Sequence, residues 1–126
     1  MSDTSPVSPD PAVDAVLPGR IGLLVRIPVV PGTRPAALDV LNRYVDALDQ
    51  EPGTEAFMVC IDPSDDDVVW LYEWFRDEDA LTAHRESPLF HRLVGELPDL
   101  VTDSPGIMRL DPLRLRMPPA VTAESL

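Results

Sequence analysis

The stretch Val68 to Arg76, VVWLYEWFR, limits the possible folds more than any other part of the chain. It is dense in β-branched and aromatic residues, the composition of a strand. Side chains alternate along a strand, so Trp70, Tyr72 and Trp74 share one face while Val69, Leu71 and Phe75 share the other. Both faces are apolar. Leaving either one wet would expose a large hydrophobic patch, so this strand needs cover on two sides.

The flanking sequence supplies one of those covers. Ile21 to Val30 is apolar and β-branched and is stopped by Pro31 and Gly32, which makes it a first strand. Thr33 is expected to cap a helix with Pro35 in its first turn. Ala37, Leu38, Leu41, Tyr44, Val45 and Leu48 then recur at helical spacing until Pro52 and Gly53. Glu55 to Asp62 alternates around Phe57, Val59 and Ile61, and a turn from Pro63 to Asp67 leads into the aromatic strand. Asp77 is a good N-cap for a second helix running to about Ser87, with Glu78 and Asp79 suiting its positive end. Pro88 breaks that helix, and Leu89, Phe90, Leu93, Val94 and Leu97 continue it as a further segment. Gly106 to Leu110 reads as the last strand, and Pro112 marks residues 113–116 as an edge or an extension beyond the sheet.

The order is βαββαβ. Two split βαβ units give an α+β, ferredoxin-like antiparallel sheet with its helices on one face. The open face is expected to be covered by a second copy, giving a homodimer and a dimeric α+β barrel. The domain is placed at residues 20–116. Residues 1–19 and 117–126, rich in proline and poor in periodic apolar residues, are expected to be a disordered arm and tail.

Composition narrows the chemistry. Formal net charge is −12, so nucleic acid and anionic membrane surfaces are poor partners. All ten basic residues are arginine, which excludes any lysine Schiff base or lysine general base. Cys60 is the only cysteine, so an intrachain disulfide and a thiolate-rich metal site are both excluded. No apolar run approaches the ~20 residues of a membrane span, and the first twenty residues lack the basic start and apolar core of a signal peptide. The expected location is the cytoplasm.

The segment Tyr72-Glu73-Trp74-Phe75-Arg76-Asp77-Glu78-Asp79-Ala80-Leu81-Thr82-Ala83-His84, followed by Ser87-Pro88-Leu89-Phe90, resembles the signature of the antibiotic biosynthesis monooxygenase family, and Glu51-Pro52-Gly53-Thr54 also matches. The resemblance runs from about Ile21 to Leu110. It implies a small dimeric α+β barrel, and many members of the family oxygenate electron-rich phenols or quinols without metal or flavin. One departure stands out. Where the family usually has Glu-x-Trp, this chain has Glu73-Trp74-Phe75, which should put Trp74 on the face opposite the usual tryptophan and leave Phe75 in its place. The haem-degrading branch holds iron through a histidine that falls here at Val94, and valine cannot ligate iron.

His84 follows Ala80 and Leu81 on the helix stripe that faces the sheet, so it can reach a pocket. Its imidazole could accept a phenolic proton, or it could be a structural histidine bonded to backbone at a helix end. Glu73, between large apolar neighbours, is the second candidate catalytic residue, with pairing to Arg76, Arg85 or Arg109 as the structural alternative. Leu71, Phe75 and Phe90 are candidate walls of a substrate pocket, and Trp74 and Tyr72 could add aromatic surface to it. The expected ligands are a small aromatic substrate and dioxygen, with no cofactor and no metal. The functional expectation is a cofactor-independent monooxygenase acting on an aromatic polyketide-like or quinol substrate. A polyketide cyclase or isomerase, or a small-ligand-binding module, is the alternative.

Overall fold

A computed structural model describes residues 13–119. In chain order its elements are β1 (Val13–Val16), β2 (Ile21–Pro28), α1 (Arg34–Asp46), β3 (Thr54–Ile61), β4 (Val68–Phe75), α2 (Glu78–Glu86), α3 (Pro88–Glu96), β5 (Gly106–Arg109) and β6 (Arg114–Met117), with short 3-10 turns at Leu48–Gln50 and Pro98–Leu100. They fall into two units, Gly19–Pro112 and a ribbon made of β1 and β6.

The larger unit holds an antiparallel sheet of four strands in the order β3-β4-β2-β5, the ferredoxin-like order for a βαββαβ chain. Its register aligns Leu23 with Glu73, Val25 with Leu71 and Ile27 with Val69, while Phe57 and Val59 of β3 pair with the same Glu73 and Leu71. These residues form the face beneath the helices. Ala37, Leu41 and Tyr44 of α1, Ala80 and Leu81 of α2, and Leu89 and Leu93 of α3 close the core above it. The α1 and α3 sets are spaced by three or four residues, and in α2 buried His84 follows Ala80 and Leu81 at the same spacing, as one buried helix stripe requires.

Local signals explain most of the boundaries. Asp77 accepts a hydrogen bond from the Ala80 amide at 2.8 Å and starts α2 as expected. Ser87 ends that helix and caps the next, accepting from the Phe90 amide at 3.0 Å with Pro88 in the first turn of α3. Thr33 departs from expectation. Its hydroxyl donates to the Val30 carbonyl at 2.6 Å and accepts from no amide of α1, so the side chain is turned toward the loop rather than the helix start. β2 stops at Pro28, and Val29 makes only an isolated bridge to Val101.

The other face of the sheet carries Trp70, Tyr72 and Trp74 on β4, with Met58 of β3 and Met108 of β5 exposed beside them. Trp70 Nε1 donates to Asp62 at 3.0 Å, and the Tyr72 hydroxyl donates to the Leu110 carbonyl at 2.7 Å. Gly22 makes that second contact possible. A Cβ there would lie 2.1 Å from the Leu110 oxygen and 2.5 Å from the Tyr72 hydroxyl.

The ribbon corrects the expectation of an unstructured arm for the residues of the arm that are described. Val13–Val16 pairs antiparallel with Arg114–Met117, and Asp14 accepts hydrogen bonds from both Arg114 and Arg116. Four residues of strand are marginal alone, but a partner strand and two guanidinium groups on one carboxylate supply what local sequence lacks. Met117, expected in the tail, belongs to β6, while residues 1–12 and 120–126 of the expected arm and tail lie outside the described residues.

Candidate active site

The inward face of β4 presents Leu71, Glu73 and Phe75 in succession, all buried. Above them α2 places His84 on its buried stripe, and α3 adds Phe90. Between helices and sheet lies a cavity of about 160 Å³, lined by Leu71, Phe57, Phe90 and Val94, with Glu73 and His84 among its few polar groups. Phe75 does not line it. Its ring centroid lies 4.8 Å from that of His84, and Phe90 lies 4.2 Å away, so the two phenyl rings flank the imidazole.

His84 is 3% exposed and stands between two buried carboxyl groups. Nδ1 lies 2.7 Å from Glu51 Oε1 and 3.0 Å from the Tyr44 hydroxyl, and Nε2 lies 3.9 Å from Glu73 Oε1, too far for a direct hydrogen bond. Glu51 is densely solvated by protein. Its oxygens also accept from the Tyr44 hydroxyl at 3.0 Å, Thr54 Oγ1 at 3.0 Å and Ser87 Oγ at 2.8 Å. The turn carrying Glu51 can approach α2 this closely because residue 53 is glycine, where a Cβ would meet Ala80 Cβ at 2.5 Å.

Glu73 is the opposite case. Among the described residues no group hydrogen-bonds its carboxyl, and burial, helped by the charge of Glu51, pushes its pKa up to about 7. Of the arginines expected as partners, Arg76 lies 3.6 Å from Asp77, Arg109 bonds Asp111 and lies 3.6 Å from Glu78, and Arg85 lines the same cavity without an ion pair to Glu73. The nearest ionic group to Glu73 is His84 instead. Burial holds the imidazole below its ordinary pKa, although the hydrogen bond and charge of Glu51 pull the other way. Burial and the Glu51 charge also push the Tyr44 phenol far up, so it stays a donor.

Of the residues singled out from the sequence, the structure brings Leu71, Glu73, Phe75, His84 and Phe90 together. Tyr72 and Trp74 are corrected. They lie on the other face of β4 and cannot reach the cavity, because their even positions alternate with Leu71, Glu73 and Phe75. His91 points away from the site, with Nε2 donating to the Arg85 carbonyl at 3.0 Å. Sequence reasoning missed Glu51, Tyr44, Thr54 and Ser87 as members of the site. A buried histidine needs a partner, and a lone glutamate between a helix and Pro52-Gly53 was the available signal.

A profile of the antibiotic biosynthesis monooxygenase family matches residues 20–96, more than half of the chain. This chain belongs to that family. Solved structures agree on the fold. A Caulobacter crescentus protein named for the same family superposes with a TM-score of 0.71 at 20% identity, covering 78% of this chain and 93% of that one. PA3566 from Pseudomonas aeruginosa gives 0.68 at 23% identity over 79% and 99% of the two chains, and Rv0793 from Mycobacterium tuberculosis gives 0.68 at 22% over 75% and 95%. A comparison with curated proteins gave no match. The monooxygenase-family profile spans β2 to the end of α3 and so includes Glu51, Glu73 and His84. Among the described residues no helix is long and apolar enough to cross a membrane.

Proposed function

We propose that this family member is a cofactor-independent monooxygenase that oxidises a small phenol or quinol with dioxygen, using His84 as proton acceptor. The observation that carries this reading is the imidazole of His84, its pKa held down by burial, whose Nε2 lies 3.9 Å from the Glu73 carboxyl at the wall of a cavity otherwise lined by apolar side chains and Arg85. Nε2 takes the phenolic proton, and the phenolate directs electron density to its para carbon. That carbon bonds to dioxygen, and the imidazolium returns its proton to the resulting peroxide. Loss of the para hydrogen as a proton, with cleavage of the O–O bond, leaves a quinone. The departing hydroxide leaves as water after taking a proton from Glu73, which recovers one from the ring carbon. A phenol and one dioxygen thus give a para-quinone and one water.

Cavity size favours the simpler substrates. An apolar protein cavity of ~150 Å³ accommodates benzene, so about 160 Å³ suits one ring better than a polycyclic polyketide. The test is oxygen uptake by metal-free protein with single-ring phenols unsubstituted at the para carbon, 1-naphthols and anthrones. Uptake with quinone formation is expected, fastest for single-ring substrates. No uptake across that panel would sink the oxygenase reading and favour a cyclase, isomerase or binding role, for which Phe75 at the family's usual tryptophan position is the motivating feature.

The open sheet face supports a homodimer. Met58 and Met108 are each more than half exposed there, and Trp74 Nε1 is buried without a hydrogen-bond partner among the described residues. Sedimentation at micromolar concentration should give one species near twice 13.9 kDa, and a clean monomer would refute this assembly.

A further inference from the structure

Glu51 lies on the far side of His84 from Glu73, and its surroundings are unlike those of any other acidic residue described. Its hydrogen bonds come from four separate places: Tyr44 on α1, Thr54 at the start of β3, His84 on α2 and Ser87 at the α2–α3 junction. A carboxylate offers about four lone-pair sites, so this cage saturates it as an anion. Three hydroxyls donate to this one carboxyl group, which serves as their common acceptor.

We propose that Glu51 is the positioning residue of this site, holding the His84 proton on Nδ1 so that Nε2 remains a free base toward the cavity. This rests on the reading of His84 as proton acceptor. The 2.7 Å contact between Nδ1 and Oε1 needs a proton between the two atoms. With the carboxylate ionised, only Nδ1 can supply it, and a neutral imidazole bonded this way has no proton on Nε2. The same geometry acts again once Nε2 accepts a proton, since the new imidazolium already faces an anion. Glu51 does not line the cavity that His84 shares with Glu73 and Phe90 but a separate pocket on the other side of the imidazole, so its effect on that cavity passes through the ring it orients.

The test begins without substrate. The chain has two histidines, so ¹⁵N-labelled full-length protein gives one imidazole signal set for His84 and one for His91 as an internal control. Wild-type His84 is expected to show a protonated Nδ1 and a bare Nε2. Glu51→Leu removes the acceptor from Nδ1 and leaves the Tyr44 hydroxyl, 3.0 Å away, to donate to it, so the proton should move to Nε2, and turnover should fall by about a hundredfold, the scale of a lost general base. A wild-type His84 protonated on Nε2, or a Glu51→Leu variant with an unchanged ring spectrum, would overturn the proposal. If that variant does not fold, the wild-type spectrum alone decides. Because the spectrum is read without turnover, a failure of the oxygenase reading shows separately, as absent oxygen uptake in a wild type with the expected tautomer.

Discussion

Replacing His84 by glutamine should lower turnover by about a hundredfold or more, because Gln retains an N–H donor for Glu51 but has no basic nitrogen for the substrate. Alanine should lose as much activity and also stability. The imidazole is wedged between the rings of Phe75 and Phe90, so truncation leaves a void there and removes one of the donors that offset the buried charge of Glu51. Added imidazole should restore part of the turnover of His84→Ala by entering the vacated space. Melting temperature and oxygen uptake measured on the same samples separate the two effects. A His84→Gln protein that turns over normally would remove His84 from the chemistry and leave it as a structural residue.

Stability should depend on pH through Glu73, with a sign unusual for a carboxylate. Its pKa in the folded protein is raised from 4.5 to about 7, so the folded state binds this proton more tightly than the unfolded chain does. The contribution is therefore fully present below pH 4.5 and is lost as pH rises toward and through 7. A shift of that size corresponds to about 3 kcal/mol. His84 works in the opposite direction. Its folded pKa is depressed, so its contribution is present above 6.5 and declines as pH falls through the lowered value, which partly masks Glu73 in the wild type. Comparing wild type with Glu73→Gln isolates the carboxyl group. The variant should gain stability relative to wild type between pH 5 and pH 8 by urea denaturation. A difference that stays flat over that range would mean Glu73 is not held protonated by its surroundings.

The strands and helices of the larger unit were legible because they are written in local periodicity. Alternation in VVWLYEWF assigns each residue of β4 to a face, and the stripe through Ala80, Leu81 and His84 orients α2. Placing Tyr72 and Trp74 at the pocket weighed aromatic character above the parity of the strand, and parity prevailed. Glu51 was not legible as a site residue. It is 33 positions from His84, and only the folding of α1, the 3-10 turn and α2 against one sheet brings them together. The ribbon was hidden for the same reason, since Asp14 and its arginines are separated by about a hundred residues and neither strand carries a long pattern of its own.

The hydroxyl of Ser87 serves two neighbours at once, receiving the Phe90 amide and donating to Glu51 Oε2. For anyone redesigning this scaffold, that shared atom cancels the usual freedom of choice at a helix start. Serine, aspartate and asparagine are near equivalents as caps in general. Here aspartate would cap α3 and set a second negative charge beside Glu51, and alanine would abandon both neighbours. Threonine is the one common substitute that keeps a hydroxyl for both, so heat-hardening the α2–α3 joint and tuning the imidazole are a single design problem.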